Sequence, residues 1–369
     1  MVEYSGPRAL LSRVNVSVAL ATLALLVFGT VVVASATKGM QQGMLQRHLI
    51  GVVIGLVVLA ALWVLDYHTL EHWIVPLLAG LVVLLLLPKI PHIGATLNGA
   101  SSWIKIGPLT LQPSEPGKLV FAVVMASVIA GYKGSIEKVG DVAKCLGYTA
   151  IPVLLLLFQK DLGTALVYIV IALGMLLVGG LKPRWFAVMG VVGVIVVGIA
   201  IQPGVLQTYQ RNRLLVFVDN SLDPHGAGWN LQQSKTAIGS GELFGKGLGS
   251  GTQGNLGFIP ERATDFIFSV LGEELGFVGA LTLLGLYLWV LWGSLAISTS
   301  SRDLFGALIV IGVMSMWLFQ ILENVGMTLG IMPVTGIPLP FMSFGSSFMV
   351  TNLAAVGLLM SVWARRYGT

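Results

Sequence analysis

Pro260-Glu261-Arg262-Ala263-Thr264-Asp265 concentrates three ionisable groups directly ahead of an apolar run, Phe266 to Ile297. A carboxylate at that junction stands where water meets lipid, and a carboxylate held beside a bound hydroxyl is suited to remove its proton as a general base. With a helix starting near Thr264, Asp265 falls in the first turn, where the positive end of the helix dipole keeps it ionised. A carboxylate that only supports a helix start would leave the same pattern. Glu261, Arg262 and Thr264 flank Asp265 and are taken with it as candidate substrate contacts.

Other groups share this character. In Gln112-Pro113-Ser114-Glu115-Pro116-Gly117-Lys118, a helix opening near Pro113 places Glu115 and Lys118 three apart on one face. Charges entering a span point into a bundle or a wet cavity. The pair therefore either presents Lys118 to an anionic headgroup or fastens two helices. Asp161, in Gln159-Lys160-Asp161-Leu162-Gly163-Thr164, suits a helix N-cap, a role compatible with a place in the site. Tyr209-Gln210-Arg211-Asn212-Arg213 brings two guanidinium groups together, a diphosphate clamp in outline. Lys235 precedes a glycine-rich stretch, Gly239 to Gly247, that superficially resembles a phosphate loop. Its spacing fails that pattern, and Gly247 stands where Ser or Thr would hold magnesium, so the glycines are assigned to tight turns. Gln320, Glu323 and Asn324 share a helical face and are read as helix contacts. His68 and His72 have no third ligand nearby, and the single Cys145 excludes an internal disulfide.

The elements that must position these groups are membrane spans. The chain is 56% hydrophobic and 10% charged, which leaves no room for a soluble-domain reading. Apolar segments at 16–37, 49–65, 73–87, 119–130, 151–158, 162–181, 185–201, 266–297, 304–330 and 345–363 predict an all-α polytopic membrane protein with about ten helices, 151–158 being the shortest. The whole chain, 1–369, reads as one integral membrane domain, with a large extracytoplasmic loop, 204–264, between helices 7 and 8. An inner set of Arg8, Arg13, Lys133, Lys138, Lys144, Lys182, Arg184, Arg302, Arg365 and Arg366 outweighs Lys38, Arg47, Lys89, Lys105 and Lys160. That asymmetry puts both termini in the cytoplasm. The loop at 88–112 carries Asn98-Gly99 and Trp103, the latter a headgroup-level anchor and substrate-contact candidate. Pro338 and Pro340 bar regular helix from the stretch 333–345, which is expected to be re-entrant or on the surface.

Taken jointly, Gln112-Pro113-Ser114-Glu115 with Lys118, Gln159-x-Asp161-Leu162-Gly163-Thr164, Asp223-Pro224-x-Gly226-x-Gly228, Gln233-Ser234-Lys235-x-Ala237-Ile238-Gly239-Ser240-Gly241, Pro260-Glu261-Arg262-x-Thr264-Asp265-Phe266-Ile267-Phe268, Glu273-Glu274-Leu275-Gly276 and Pro338-Leu339-Pro340 resemble the SEDS (shape, elongation, division, sporulation) family, in the family's order along nearly the whole chain. Lys235 after Gln233-Ser234 and Arg262 after Pro260-Glu261 resemble its RodA-like, elongation branch. Departures are Ala263 for the usual His, Lys160 for a usual Pro, Pro116-Gly117 after Glu115, and Ser343-Phe344-Gly345-Ser346-Ser347 for a Ser-Tyr-Gly-Gly-Ser pattern.

The resemblance implies a peptidoglycan glycosyltransferase that polymerises lipid II on the outer face of the cytoplasmic (inner) membrane. It implies Asp265 as the essential carboxylate, undecaprenyl diphosphate as the leaving group, and a class B penicillin-binding protein as transpeptidase partner within the elongation machinery, with no nucleic acid involved. Asp265 would deprotonate the GlcNAc 4-hydroxyl for in-line attack on the MurNAc anomeric carbon, inverting it, so no second nucleophilic carboxylate is required. Lys118, Arg211, Arg213 and Arg262 are the expected cations for the diphosphate. A divalent ion (Mg or Mn) shared by Asp265 and phosphate oxygens is a further option. The alternative from another class is a lipid II flippase, which would want buried charge on both sides of the midplane.

Overall fold

The computed structural model describes residues 13–367, except 41–42, 91–93, 98–99, 107–108, 203, 205–206, 217–218, 220–222 and 225. Arg8, Asn98 and Gly99 lie outside the described residues, as does the side chain of Tyr209. Each expected span has a helical counterpart. The first half of the chain contains α1 (Val16–Ala36), α2 (Met44–Val64), a short α3 (Tyr67–Glu71), α4 (Ile74–Leu86), α5 (Ser114–Ala130), α6 (Val139–Phe158), α7 (Leu162–Val178) and α8 (Pro183–Ala200). The long connection holds α9 (Thr208–Leu215), α10 (Ala227–Ser240) and α11 (Thr252–Asn255), and α12 (Ile267–Thr299), α13 (Leu304–Leu329) and α14 (Ser346–Ala364) follow. Helices α1, α2, α6, α12, α13 and α14 are long and apolar enough to cross a membrane, and α4, α7 and α8 are shorter apolar helices. The short segment 151–158 is the second half of α6, which runs 20 residues because Pro152 is accommodated inside it.

Between α4 and α5 the chain forms a three-stranded antiparallel sheet, β1 (Gly94–Leu97), β2 (Ala100–Ile106) and β3 (Leu109–Leu111), which the sequence reading did not anticipate. The signal is short. Ser102 and Ile104 are buried while Lys105 is exposed, a period-2 alternation over only a few residues. Ile104 pairs with both Gly94 and Leu111. The strand thus sets Trp103 in the wall of the cavity described below.

Helix α14 is the centre of the bundle, with nearly every residue from Ser347 to Val362 buried. Its approach to α2 requires glycine. A Cβ on Gly51 would lie 2.7 Å from the Ser346 Cα, one on Gly55 2.5 Å from Leu353, and one on Gly357 2.6 Å from the Leu59 carbonyl. Small residues are how membrane helices come close enough for dispersion to hold them. That contact brings Ser346, Ser347 and Phe348 beside Arg47 in the first turn of α2. Trp317 of α13 donates to Asn352 of α14 at 2.8 Å, an interhelical bond worth about 1 kcal/mol in lipid. The stretch 331–345 turns back into the bundle, where Ile337, Leu339, Phe341 and Met342 are buried and the Tyr287 hydroxyl donates to the Pro340 carbonyl. At the opposite end, charged groups close helices: Asp303 caps α13 through Gly306 N–H, and Arg365 donates to the Val64 carbonyl at 2.7 Å.

Candidate active site

At the loop end of the bundle lies a cavity of about 250 Å³, walled by the first turns of α2, α5, α7 and α14, by β2 and α9, by 261–265 and by 334–338. Helix N-termini carry partial positive charge, so four of them around one chamber favour an anionic occupant.

Asp265 sits in this cavity two residues before α12 rather than within its first turn. Its backbone is pinned: Asn324 Nδ2 donates to the Asp265 carbonyl and also to the Ile337 carbonyl, both at 2.8 Å. Ser343 Oγ donates to the Thr264 carbonyl at 2.6 Å, and Phe344 N–H to the Ala263 carbonyl at 2.8 Å. The re-entrant stretch therefore holds the catalytic-type loop from behind. Gly336 (φ +76°) passes over the carboxylate so closely that a Cβ there would lie 3.0 Å from Asp265 Oδ2. Burial, and then the charge of Glu261, push the Asp265 carboxyl up to about 7, while Arg213 opposes the rise and Glu323 adds to it. The expectation of a carboxylate kept ionised by a helix end is corrected here. Desolvation and like charge outweigh the dipole, and the result is a carboxylate poised near neutral pH.

Across the cavity, Lys118 Nζ lies 2.7 Å from Glu115 Oε1, both side chains almost wholly buried, and Lys118 also stands 5.8 Å over the Phe348 ring. Glu115 Oε2 is buried without a partner, so the pair is only half satisfied. Asp161 does what an N-cap does, accepting from Thr164 N–H at 3.1 Å, and still lines the cavity, where Gln112 Nε2 donates to it at 3.1 Å. Glu261 accepts from the Thr264 hydroxyl at 2.9 Å. Glu115, Lys118, Asp161, Arg213, Glu261, Thr264, Asp265 and Trp103 all line the same chamber.

Arg211, Lys235 and Arg262 do not. Arg211 and Arg213 are two apart on α9, and side chains at that spacing do not share a helix face, so a double-guanidinium clamp cannot form from them. Arg262 is buried and donates to the Ala36 and Lys38 carbonyls at 2.8 and 2.6 Å, closing the end of α1. The Lys235 stem packs on Gly330, where a Cβ would lie 2.2 Å from its Cε. In their place the structure contributes two cations that the sequence reading did not assign to the site, Arg47 and Lys160. Their signal was available: each begins a span on the same side as Asp265. Glu323, read as a helix contact, accepts from the Thr335 hydroxyl and leaves Oε2 buried and unpartnered, with Thr335 in the cavity wall. Among the described residues, no group of three or more His, Cys, Asp or Glu is placed to hold a metal. The donors present do not make a protein-built metal cage.

A helical bundle with several membrane-length apolar helices and a charged chamber at one end is that of a multi-pass membrane protein. The chain belongs to the FtsW/RodA/SpoVE family, whose model, described as cell cycle protein, matches residues 14–368. It is 37% identical over 351 residues to the peptidoglycan glycosyltransferase MrdB of Escherichia coli (strain K12), covering 93% of this chain and 92% of that protein. It is 34% identical over 390 residues to the peptidoglycan glycosyltransferase RodA of Treponema pallidum (strain Nichols), covering 87% and 89%. Among solved structures it is similar to a chain from work on structural coordination of polymerization and crosslinking by a peptidoglycan synthase complex (TM-score 0.84, 33% identity, 96% and 99% covered). It is also similar to the rod shape determining protein RodA of Thermus thermophilus (TM-score 0.73, 30% identity, 96% and 98% covered).

Proposed function

We propose that this chain is a peptidoglycan glycosyltransferase that polymerises lipid II, acting as one integral unit in the cytoplasmic membrane with both termini inside and the Asp265 cavity on the outer face. Asp265 is the general base. It takes the proton of the acceptor GlcNAc 4-hydroxyl while the oxygen attacks the MurNAc anomeric carbon of the growing chain, and the bond to undecaprenyl diphosphate breaks in line. A base with a pKa near 7 combines an available ionised form with a strong drive to accept the proton. Charge builds on the departing diphosphate, and Lys118, Arg213, Arg47 and Lys160 are the cations in reach of the chamber, helped by the four helix N-termini. Glu115 orients Lys118, and Trp103 and Asp161 shape the wall in which a sugar would rest.

The observation that carries this reading is the carboxylate of Asp265, raised to about 7 in a chamber lined with cations. The partner that fits is a class B penicillin-binding protein, a transpeptidase cross-linking the strands made here. The test is the purified protein with that partner, given lipid II in detergent and assayed for glycan polymer. Detergent abolishes the two compartments, so a flippase yields no polymer, whereas polymer that disappears with Asp265→Ala supports the enzyme.

A further inference from the structure

The stretch 334–337 forms the wall of the chamber beside the base, and a glycine stands within it. Gly336 is left-handed (φ +76°), and a Cβ on it would lie 3.0 Å from Asp265 Oδ2 and 3.7 Å from Arg213 Nη1. The backbone at this point therefore passes against both the carboxylate and the guanidinium. Glycine supplies no stiffness of its own, so the anchors on either side decide where that backbone lies. Val334 N–H donates to the Arg213 carbonyl at 3.3 Å, and Asn324 Nδ2 donates to the Ile337 carbonyl at 2.8 Å. The Thr335 carbonyl lies against the first turn of α7, where a Cβ on Gly163 would come within 2.9 Å of it. A further anchor is the Thr335 hydroxyl, which donates to Glu323 Oε1.

That last anchor carries a charge that its bond does not require. Glu323 is buried on α13 behind Thr335 and leaves Oε2 without a partner. A neutral oxygen would hold a hydroxyl as well, and burying a half-satisfied carboxylate is costly. The adjoining Asn324 donates to the Asp265 carbonyl at 2.8 Å, so one turn of α13 carries both the base and the backbone that passes it. A charge placed there acts on the base: after burial and Glu261, and against Arg213, Glu323 adds to the rise of the Asp265 carboxyl. The other charged groups facing the chamber are Arg47 from α2, Glu115 and Lys118 from α5, and Lys160 and Asp161 ahead of α7.

We propose that Glu323 is a positioning residue for polymerisation: through the Thr335 hydroxyl it holds the backbone at Gly336 against Asp265 and so fixes the space in which the acceptor hydroxyl meets the base. The inference rests on Asp265 acting as that base. A bond that only fastened two helices would show in stability alone. A positioning role shows in kcat, and the charge of Glu323 shows in the pH profile.

The purified protein with its transpeptidase partner, given lipid II in detergent, tests this through kcat, KM and the pH profile of Glu323→Ala, Thr335→Val, their double variant and Glu323→Gln. Glu323→Ala and Thr335→Val should each lower kcat per folded molecule about 10- to 100-fold, with KM for lipid II within about twofold of wild type. The double variant should fall no further than either, because both cut the same link. Glu323→Gln keeps an oxygen for the Thr335 hydroxyl and drops the charge. It should recover most of kcat at high pH and move the acidic limb to lower pH, since a negative charge that raised the Asp265 carboxyl is gone. Losses that multiply in the double variant, a loss carried by KM instead of kcat, or a Glu323→Gln variant as slow as Glu323→Ala with its acidic limb in the wild-type position would overturn the proposal. Thr335→Val and Glu323→Gln hardly change the buried volume, so they carry the test should Glu323→Ala fail to fold. Polymer from Asp265→Asn in the same assay would instead overturn the assignment of the base.

Discussion

Asp265 and Glu273 lie eight residues apart at the head of one helix, and they are treated in opposite ways. Glu273 is saturated, with Lys246 Nζ, the Thr252 hydroxyl and the N–H groups of Thr252, Gln253 and Gly254 all donating to it. Around Asp265 the pairing is left incomplete. Glu115 Oε2 and Glu323 Oε2 are buried without partners, and the Asp265 carboxyl, whose rise is opposed by Arg213 and by a hydrogen bond from Thr264, is crowded by Glu261. A saturated carboxylate closes a structural gap. A crowded one, in a cavity beside the unpartnered oxygens of Glu115 and Glu323, is what the proposed reaction needs, since unsatisfied buried polar groups are costly to keep.

That contrast is open to attack from both sides. Short of replacing Asp265 itself, the largest effect is expected from Lys118→Ala, which strands Glu115 as a buried lone charge. Breaking such a pair costs about 3–5 kcal/mol, and loss of a transition-state cation lowers polymerisation by about 100-fold or more. Thermal unfolding and polymer yield per folded molecule separate the two. Adding Glu115→Gln to Lys118→Ala, which removes the stranded charge and keeps the shape, should recover most of the stability without the activity.

Glu273→Ala should cost about 2–4 kcal/mol in thermal unfolding by orphaning Lys246 and the α11 amides. The rate per folded molecule should stay at the wild-type level, and a comparable loss of rate would erase the distinction between the two carboxylates. Smaller still is the pair on α9. Arg213→Ala should slow polymerisation about tenfold and move the acidic limb of its pH profile upward, because Arg213 is the charge that holds the Asp265 carboxyl down. Arg211→Ala, outside the chamber, should leave the pH profile in place.

Most of this arrangement was legible in the residues. Span-length apolar runs located the helices, the position of Asp265 at a span boundary singled it out, and the spacing of Glu115 and Lys118 put them on one face. What escaped notice depended on geometry that spacing cannot carry. Arg262 looked like a phosphate ligand because it lies three residues before Asp265, yet it is turned away to the end of α1, where it donates to the Ala36 and Lys38 carbonyls. The strand holding Trp103 was hidden because its alternation is too short to stand out from a polar loop. The raised proton affinity of Asp265 comes first from burial and then from Glu261 nearby, with Glu323 on another helix adding to it, and only packing supplies the burial and brings Glu323 close. Arg47 and Lys160 were visible as charges, but Arg47 was counted for topology and Lys160 for topology and as a departure from the family pattern, neither as a site residue.

The most direct measurement is the pH dependence of glycan polymerisation from lipid II by the purified protein with its transpeptidase partner, wild type beside Asp265→Asn. With the Asp265 carboxyl raised to about 7, the base is lost as pH falls through that value. Wild-type rate should therefore drop on an acidic limb centred near pH 7, and Asp265→Asn, folded and partner-bound, should make no polymer at any pH. Polymer from Asp265→Asn at a rate near wild type, with the acidic limb unchanged, would contradict the assignment of this carboxylate as the base.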